Sequence, residues 1–266
     1  MRERILTLMV WLTCCVTFSA AADLRIEVTQ GVDNAVRIGV VPFKYPARIS
    51  LPESVHEIVD ADLTLSGRFD TLPVAQMLSL PTRTESVLPR DWRLLNVEYL
   101  VMGELERVEF GYRLRFELYN VFKQSVVIRQ TIEGTEEELR DMAHYLSDEV
   151  FEALTGIPGA FSTRIMYVTA DGPVENRVFK LNIADADGYR RETVLTSGEP
   201  ILSATWSPDG KKIAYVSFEN DRRPAIFIRD LESGLKQQIT NFSGLNGAPA
   251  FSPDGKQLAM VLSKDG

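Results

Sequence analysis

The sequence predicts an α/β N-terminal domain followed by all-β propeller blades. Three observations lead there. Two stretches, Trp206-Ser207-Pro208-Asp209-Gly210-Lys211-Lys212-Ile213-Ala214-Tyr215-Val216 and Phe251-Ser252-Pro253-Asp254-Gly255-Lys256-Gln257-Leu258-Ala259-Met260-Val261, are near copies with a period of 45 residues. A period in that range marks radial or solenoid repeats. Upstream, strand-like and helix-like patterns alternate once and then give way to a run of period two, the mark of a separate α/β unit. At the start stands a short apolar run of export-signal form.

Residues 1–22 read as a signal peptide. Arg2 and Arg4 supply the positive start, Ile5 to Phe18 the apolar run, and Ser19-Ala20-Ala21-Ala22 the small residues for cleavage. The run is shorter than the ~20 residues that span a bilayer. Cleavage after Ala22 leaves Asp23 first and a protein addressed to the periplasm. Both cysteines, Cys14 and Cys15, lie in the leader, so no disulfide, thiolate metal site or thiol nucleophile is expected after cleavage. The formal net charge is −8. With no long Lys/Arg run, that charge repels a phosphate backbone, so no nucleic-acid partner is expected. No basic amphipathic helix favours a membrane surface, and no membrane insertion is expected once the leader is gone.

Residues 23–34 form an N-terminal arm. In Asp23-Leu24-Arg25-Ile26-Glu27-Val28-Thr29 apolar and charged residues alternate, and Gln30-Gly31-Val32-Asp33-Asn34 follows as a flexible stretch. Such a segment adds as a strand to its own sheet or to a partner's. An ordinary first strand of the next domain fits the same pattern.

Residues 35–158 read as the α/β domain. Val36-Arg37-Ile38-Gly39-Val40-Val41-Pro42-Phe43 is a buried strand ended by proline. Ser50-Leu51-Pro52-Glu53 has the S-x-x-E capping pattern for a helix carrying Val55, Ile58, Val59 and Leu63, closed at Ser66-Gly67. Phe69-Asp70-Thr71-Leu72 completes β-α-β. Glu98 to Glu109, the alternation Tyr112, Leu114, Phe116, Leu118, and Val126-Val127-Ile128 predict a three-stranded antiparallel meander with one wet face. Thr135 and Glu138 cap a last helix with Leu139, Met142, Ala143, Leu146, Val150 and Leu154 on one side, stopped by Gly156 and Pro158. Ile157-Pro158-Gly159-Ala160 is the expected linker.

Residues 161–266 hold the first blades of an incomplete propeller. Ser, Pro and Gly at the first, second and fourth corners of each copy suit a type I turn, which joins an entering aromatic strand to a leaving Ile/Leu-Ala-Tyr/Met-Val strand. A degenerate third copy precedes them: Ile165-Met166-Tyr167-Val168 resembles Ile213-Ala214-Tyr215-Val216. Each unit runs into a turn, Asp185-Ala186-Asp187-Gly188 or Leu231-Glu232-Ser233-Gly234, and then a polar strand, so about four strands per blade are expected. The chain stops just past the inner hairpin of a blade, which predicts the leading part of a longer protein.

Chemistry-bearing patterns are sparse. The two histidines, His56 and His144, lie on helices outside any H-x-x-H pair, and surface or packing roles are expected of them. No P-loop, G-x-G-x-x-G or G-x-S-x-G occurs. Asp185-Ala186-Asp187-Gly188 lacks the spacing of a calcium loop and falls where a blade turns. Glu136, Glu137 and Glu138 favour a helix N-terminus. Asp209 and Asp254 recur with the repeat, which argues for a structural part. No catalytic, cofactor or metal residue is nominated.

Taken in order, the leader, the arm, Gly31-Val32-Asp33 with Ile38-Gly39-Val40-Val41-Pro42-Phe43, and Asn246-Gly247-Ala248-Pro249-Ala250-Phe251-Ser252-Pro253-Asp254-Gly255 resemble the TolB family, the periplasmic component of the Tol–Pal system of Gram-negative bacteria. The resemblance implies a six-bladed propeller and a non-enzymatic adaptor without cofactor. It would link inner-membrane TolA to the outer-membrane lipoprotein Pal, and so support outer-membrane integrity and constriction during cell division. The arm Asp23 to Asp33 would take TolA, and Leu245-Asn246-Gly247-Ala248-Pro249 would be a blade-connecting loop facing Pal. Two other classes compete on the repeat alone. One is the leading part of a propeller-bearing serine hydrolase of oligopeptidase type. The other is a sensor propeller holding a small ligand in its channel.

Overall fold

A computed structural model describes residues 35–46, 51, 53–220 and 222–263. The leader, the arm, Ser50, Pro52 and Lys264-Asp265-Gly266 lie outside the described residues. From Val36 on, the chain forms one compact unit.

The first half is a mixed sheet under two helices. Strand β1 (Val36–Val40) is followed by helix α1 (Val55–Leu65), β2 (Phe69–Thr71), the short α2 (Pro89–Leu94), β3 (Tyr99–Val108), β4 (Gly111–Asn120), β5 (Ser125–Gly134) and α3 (Leu139–Thr155). Strand order is β2-β1-β3-β4-β5, with β1 parallel to both neighbours and the rest antiparallel. The parallel pairs follow from the β-α-β crossover, which a tight hairpin cannot make. On β4 the alternating Tyr112, Leu114, Phe116 and Leu118 share one core with two helices. Helix α1 contributes Val55, Val59 and Leu63, and α3 contributes Leu139, Met142, Ala143, Leu146 and Val150.

The expected wet face is wet only in part. Residues 72–97 fold back over it and place Leu72, Val87, Trp92 and Val97 against Leu100, Met102 and Tyr119, forming a second small core. That segment shows no strong periodicity, so the sequence carries no signal for the cover. Beyond it the face is charged. Glu104 accepts from Thr82 Oγ1 (2.9 Å) and Arg83 (2.6 Å), while Glu117 accepts from the Thr84 N–H (2.9 Å) and Arg129 (2.7 Å). These two carboxylates tie the covering loop to the sheet.

Helix ends follow local chemistry. At α3 the reciprocal box is formed: Glu138 N–H donates to Thr135 Oγ1 (3.3 Å) and Thr135 N–H to Glu138 Oε2 (2.8 Å). Gly156, at φ 73°, closes that helix. At α1 the expected cap is corrected. Ser54 is the N-cap, its Oγ accepting from the Glu57 N–H at 3.4 Å, so the S-x-x-E frame that supplies the cap starts at Ser54. Two S-x-x-E frames overlap here, and only the later one adjoins the first helical residue.

The second half is three antiparallel sheets. Strands β6 (Arg164–Asp171), β7 (Val178–Asp185) and β8 (Glu192–Ser197) form the first. Strands β9 (Ile201–Trp206), β10 (Lys212–Asn220), β11 (Arg223–Asp230) and β12 (Lys236–Gln238) form the second, in the order β12-β11-β10-β9; β13 (Asn246–Phe251) pairs with β14 (Leu258–Leu262). The expected four strands are present in the second blade, and three are seen among the described residues of the first. Leu181, Ile201, Ile213, Tyr215, Ala225 and Phe227 pack the first blade face to face on the second.

The duplicated turn explains its own sequence. Gly210 and Gly255 stand at φ 68° and 69°, where a Cβ is disfavoured, and their N–H groups donate to the carbonyls of Ser207 (2.9 Å) and Ser252 (2.8 Å). Each serine hydroxyl donates to the next aspartate, at 2.6 Å for Asp209 and 2.5 Å for Asp254. Each also accepts from the N–H of Lys212 (2.8 Å) or Gln257 (3.0 Å). A second repeated feature has no obvious sequence mark. Ser203 and Ala248, again 45 positions apart, both take positive φ (49° and 48°) and break the strand register as β-bulges.

That bulge corrects the expected loop at 245–249. Asn246, Gly247, Ala248 and Pro249 lie in β13, paired with β14, and only Leu245 precedes the strand. Pro249 is compatible with a strand because it sits at the bulge, where the ladder needs no N–H.

Ser54→Ala removes the α1 cap and should lower stability by about 1 kcal/mol, with Ser54→Asp close to the parent. Urea unfolding followed by far-UV circular dichroism reads both.

Candidate functional site

Helix α3 has two buried stripes, and the polar one builds the most concentrated constellation of charge. Leu139, Met142, Ala143, Leu146 and Val150 face the sheet. Arg140, His144 and Asp148, spaced by four, stand on a common line of the helix and are each committed to groups outside it. The first blade approaches this line through the turn after β7, the position that the sequence marks only as Asp185-Ala186-Asp187-Gly188.

Arg140 is the centre. Its side chain is 7% exposed and reaches Glu53 (2.5 Å), Asp185 (3.2 Å) and Asp187. The Tyr189 ring lies 4.1 Å from the guanidinium carbon, a cation–π placement. Asp185, 5% exposed, also accepts from Arg190 (2.7 Å), which in turn pairs with Asp141 of α3. Burial disfavours the Arg140 charge, but the hydrogen bond to Glu53 and the Asp187 charge outweigh it and hold the guanidinium protonated. At the far end of the line Asp148 accepts from the N–H groups of Phe161 (2.7 Å) and Ser162 (3.1 Å). The segment 157–160, expected as a linker, therefore runs tight against α3. A Cβ on Gly159 would lie 2.5 Å from Asp148 Cα.

Between them His144, only 2% exposed, places Nδ1 2.8 Å from Asp62 Oδ2 of α1 and Nε2 3.8 Å from Asp187 Oδ2. Asp62, His144 and Asp187 offer ligand-type atoms within 4.8 Å of one another. Their surroundings do not suit a dication: Arg140 already holds the Asp187 carboxylate, and Nδ1 is taken by Asp62. The expectation of a packing part for His144 misses this pairing, because Asp62 and Asp187 lie far from it in sequence. His56 is separate; burial lowers its pKa against the charges of Asp60 and Glu57.

The residues expected to bind partners fare differently. The arm Asp23 to Asp33 lies outside the described residues. In the 245–249 segment Leu245 is 64% exposed and Ala248 exposed, while Asn246 and Pro249 are buried. The Asn246 amide donates to the carbonyls of Phe242 (2.8 Å) and Gly244 (3.2 Å), so it shapes the preceding turn.

Two substitutions test the seam between α3 and the first blade. Arg140→Ala should cost about 3 kcal/mol, the low end for a broken buried pair, since Arg190 still reaches Asp185. Gly159→Ala should cost about 1–3 kcal/mol by overpacking. Urea unfolding by tryptophan fluorescence measures both, with Lys256→Ala, exposed and remote from the seam, as the control.

Comparison with known proteins gives a consistent family. The model of the TolB amino-terminal domain matches residues 24–127, and that of the TolB beta propeller domain matches residues 151–266. The Tol-Pal system protein TolB of Marinomonas sp. (strain MWYL1) is 52% identical over 91% of this chain and 56% of its own length. That of Alcanivorax borkumensis is 47% identical over 93% of this chain and 57% of its own. The crystal structure of TolB from Acinetobacter baumannii superposes with a TM-score of 0.78 at 40% identity, covering 90% of this chain and 58% of that one. The chain thus spans a little over half the length of these relatives. Both halves of the fold, the mixed α/β sheet and the repeated blades, match in order along one polypeptide, and the chain belongs to the TolB family.

Proposed function

We propose that this chain is a non-catalytic, periplasmic protein-binding adaptor of the Tol-Pal system. In this reading it links inner-membrane TolA through residues 23–33 to outer-membrane Pal through the blade surface, and so supports envelope integrity and constriction at division. The observation that carries the reading is the relatives named Tol-Pal system protein TolB, similar over about nine tenths of this chain. The geometry supports it in one way. The clustered charges on α3 and the first blade are spent on one another, which suits a scaffold. Within 245–249, Leu245 and Ala248 are the side chains turned outward to meet a partner. The hydrolase and sensor readings draw on the blade motif alone.

Binding of the mature chain to the periplasmic part of TolA and to soluble Pal, measured by isothermal titration calorimetry, tests the reading. Removal of residues 23–33 should abolish TolA binding and leave the circular dichroism spectrum unchanged. Undiminished TolA binding by the shortened chain defeats the assignment of the arm. Failure of the intact mature chain to bind either protein defeats the adaptor reading.

A further inference from the structure

His144 is buried beside two carboxylates, 2.8 Å from Nδ1 and 3.8 Å from Nε2. One belongs to α1 and the other to the first blade. Each neutral tautomer leaves a fault. With the proton on Nδ1, the bond to Asp62 is kept, but the Nε2 lone pair is left buried without a donor, 3.8 Å from an Asp187 oxygen. With the proton on Nε2, a lone pair faces Asp62 at 2.8 Å. Only the imidazolium keeps the Nδ1 bond to Asp62 and also sets positive charge, in place of a lone pair, beside Asp187. Nε2 is buried and makes no hydrogen bond, so its proton gains Coulomb attraction to Asp187 from a short distance away.

We propose that protonated His144, bridging Asp62 of α1 and Asp187 of the β7–β8 turn, is a proton-operated latch that holds the first blade against the α/β half of the molecule. The groups that face it are few. Asp62 faces it from α1, Asp187 from the turn, and Arg140 from its own helix. Glu53, Asp185 and, through Asp185, Arg190 act at one remove by engaging Arg140. Burial works against the charged ring, but the hydrogen bond to Asp62, the Asp62 charge and the Asp187 charge prevail over both burial and Arg140, and the pKa lies above the usual 6.5.

The sign of the linkage follows. A proton held more tightly in the folded state stabilises that state at pH values below 6.5, and the contribution disappears as pH rises through the folded value. The latch is closed in acid and released towards alkaline pH. Asp187 then keeps Arg140 but loses its attraction to His144, so the seam loosens without parting.

With two histidines in the chain, the imidazole Cε1–H resonances of the intact protein give two titration curves, assigned by His56→Gln. His144 should titrate above 6.5 and His56 below it. Hydrogen exchange of β6–β8, corrected for intrinsic rates, should speed up by up to about tenfold per pH unit across the window between 6.5 and the His144 midpoint. Asp187→Asn should move the His144 midpoint downward. A His144 midpoint at or below 6.5, or a midpoint indifferent to Asp187→Asn, overturns the latch. So does exchange at β6–β8 that stays level across the window.

Discussion

The placement of the first blade depends on one buried cation. Arg140 projects from α3 into a space where Glu53, Asp185 and Asp187 converge, with Tyr189 stacked on its face. A guanidinium with so little exposure carries a desolvation cost that only several well-aimed acceptors offset. The planar fork fixes where those acceptors stand, which a lysine ammonium would not. Two of the three come from the end of β7 and the turn that follows it, so satisfying the charge and seating the blade are the same event. Packing then carries the position outward: Leu181 of the first blade meets Ile201, Ile213, Tyr215 and Phe227 of the second.

Helix α3 consequently works on two sides. Its apolar stripe is an ordinary helix-on-sheet contact, non-directional and tolerant of small shifts. The line Arg140, His144, Asp148 is directional, since each bond has a preferred geometry. The first supplies most of the burial; the second sets rotation and register against the blade and the segment 157–163. An amphipathic helix is usually taken to turn its polar side to water. Here that side is sealed by aspartates, serine and main-chain N–H groups of the following segment.

This explains what the sequence discloses and what it withholds. Local devices are plain: the Thr135–Glu138 box, the glycine that ends α3, the alternation on β4, and the Ser-Pro-Asp-Gly turns with their 45-residue spacing all act within a few residues or repeat. Ser54 in place of Ser50 as the α1 cap is a shift between two overlapping versions of one motif. The cover formed by residues 72–97 is hidden because its buried side chains, Leu72, Val87, Trp92 and Val97, follow no period. Asn246 to Pro249 are expected as a loop from the resemblance, whereas the bulge at Ala248 lets Asn, Gly and Pro serve in a strand. The partners of Arg140 and His144 are beyond reach, since Asp62 and Asp187 meet them only through the tertiary fold. Asp185 and Asp187 read as turn residues; Asp185 in fact ends β7 and Asp187 lies in the turn, and nothing local shows that their carboxylates also close the seam.

Electrostatics separates the carboxylates from the one histidine that differs from them. Glu104 is drawn below the usual range by its bond to Arg83, and Glu117, despite burial, by Thr84 and Arg129. Asp209, Asp230 and Asp254 are lowered by serine hydroxyls and main-chain N–H groups in their turns. Every displaced carboxylate among the described residues moves away from neutrality and stays a fixed anion near pH 7. General acid–base chemistry asks for the opposite displacement. Fixed anions keep one charge pattern across the neutral pH range. His144 is the imidazole moved upward, towards the range in which its charge changes near neutral pH, and it sits between the α/β half and the first blade. A proton-responsive group at the joint between α1, α3 and the first blade makes that joint the element whose equilibrium a pH change can bias.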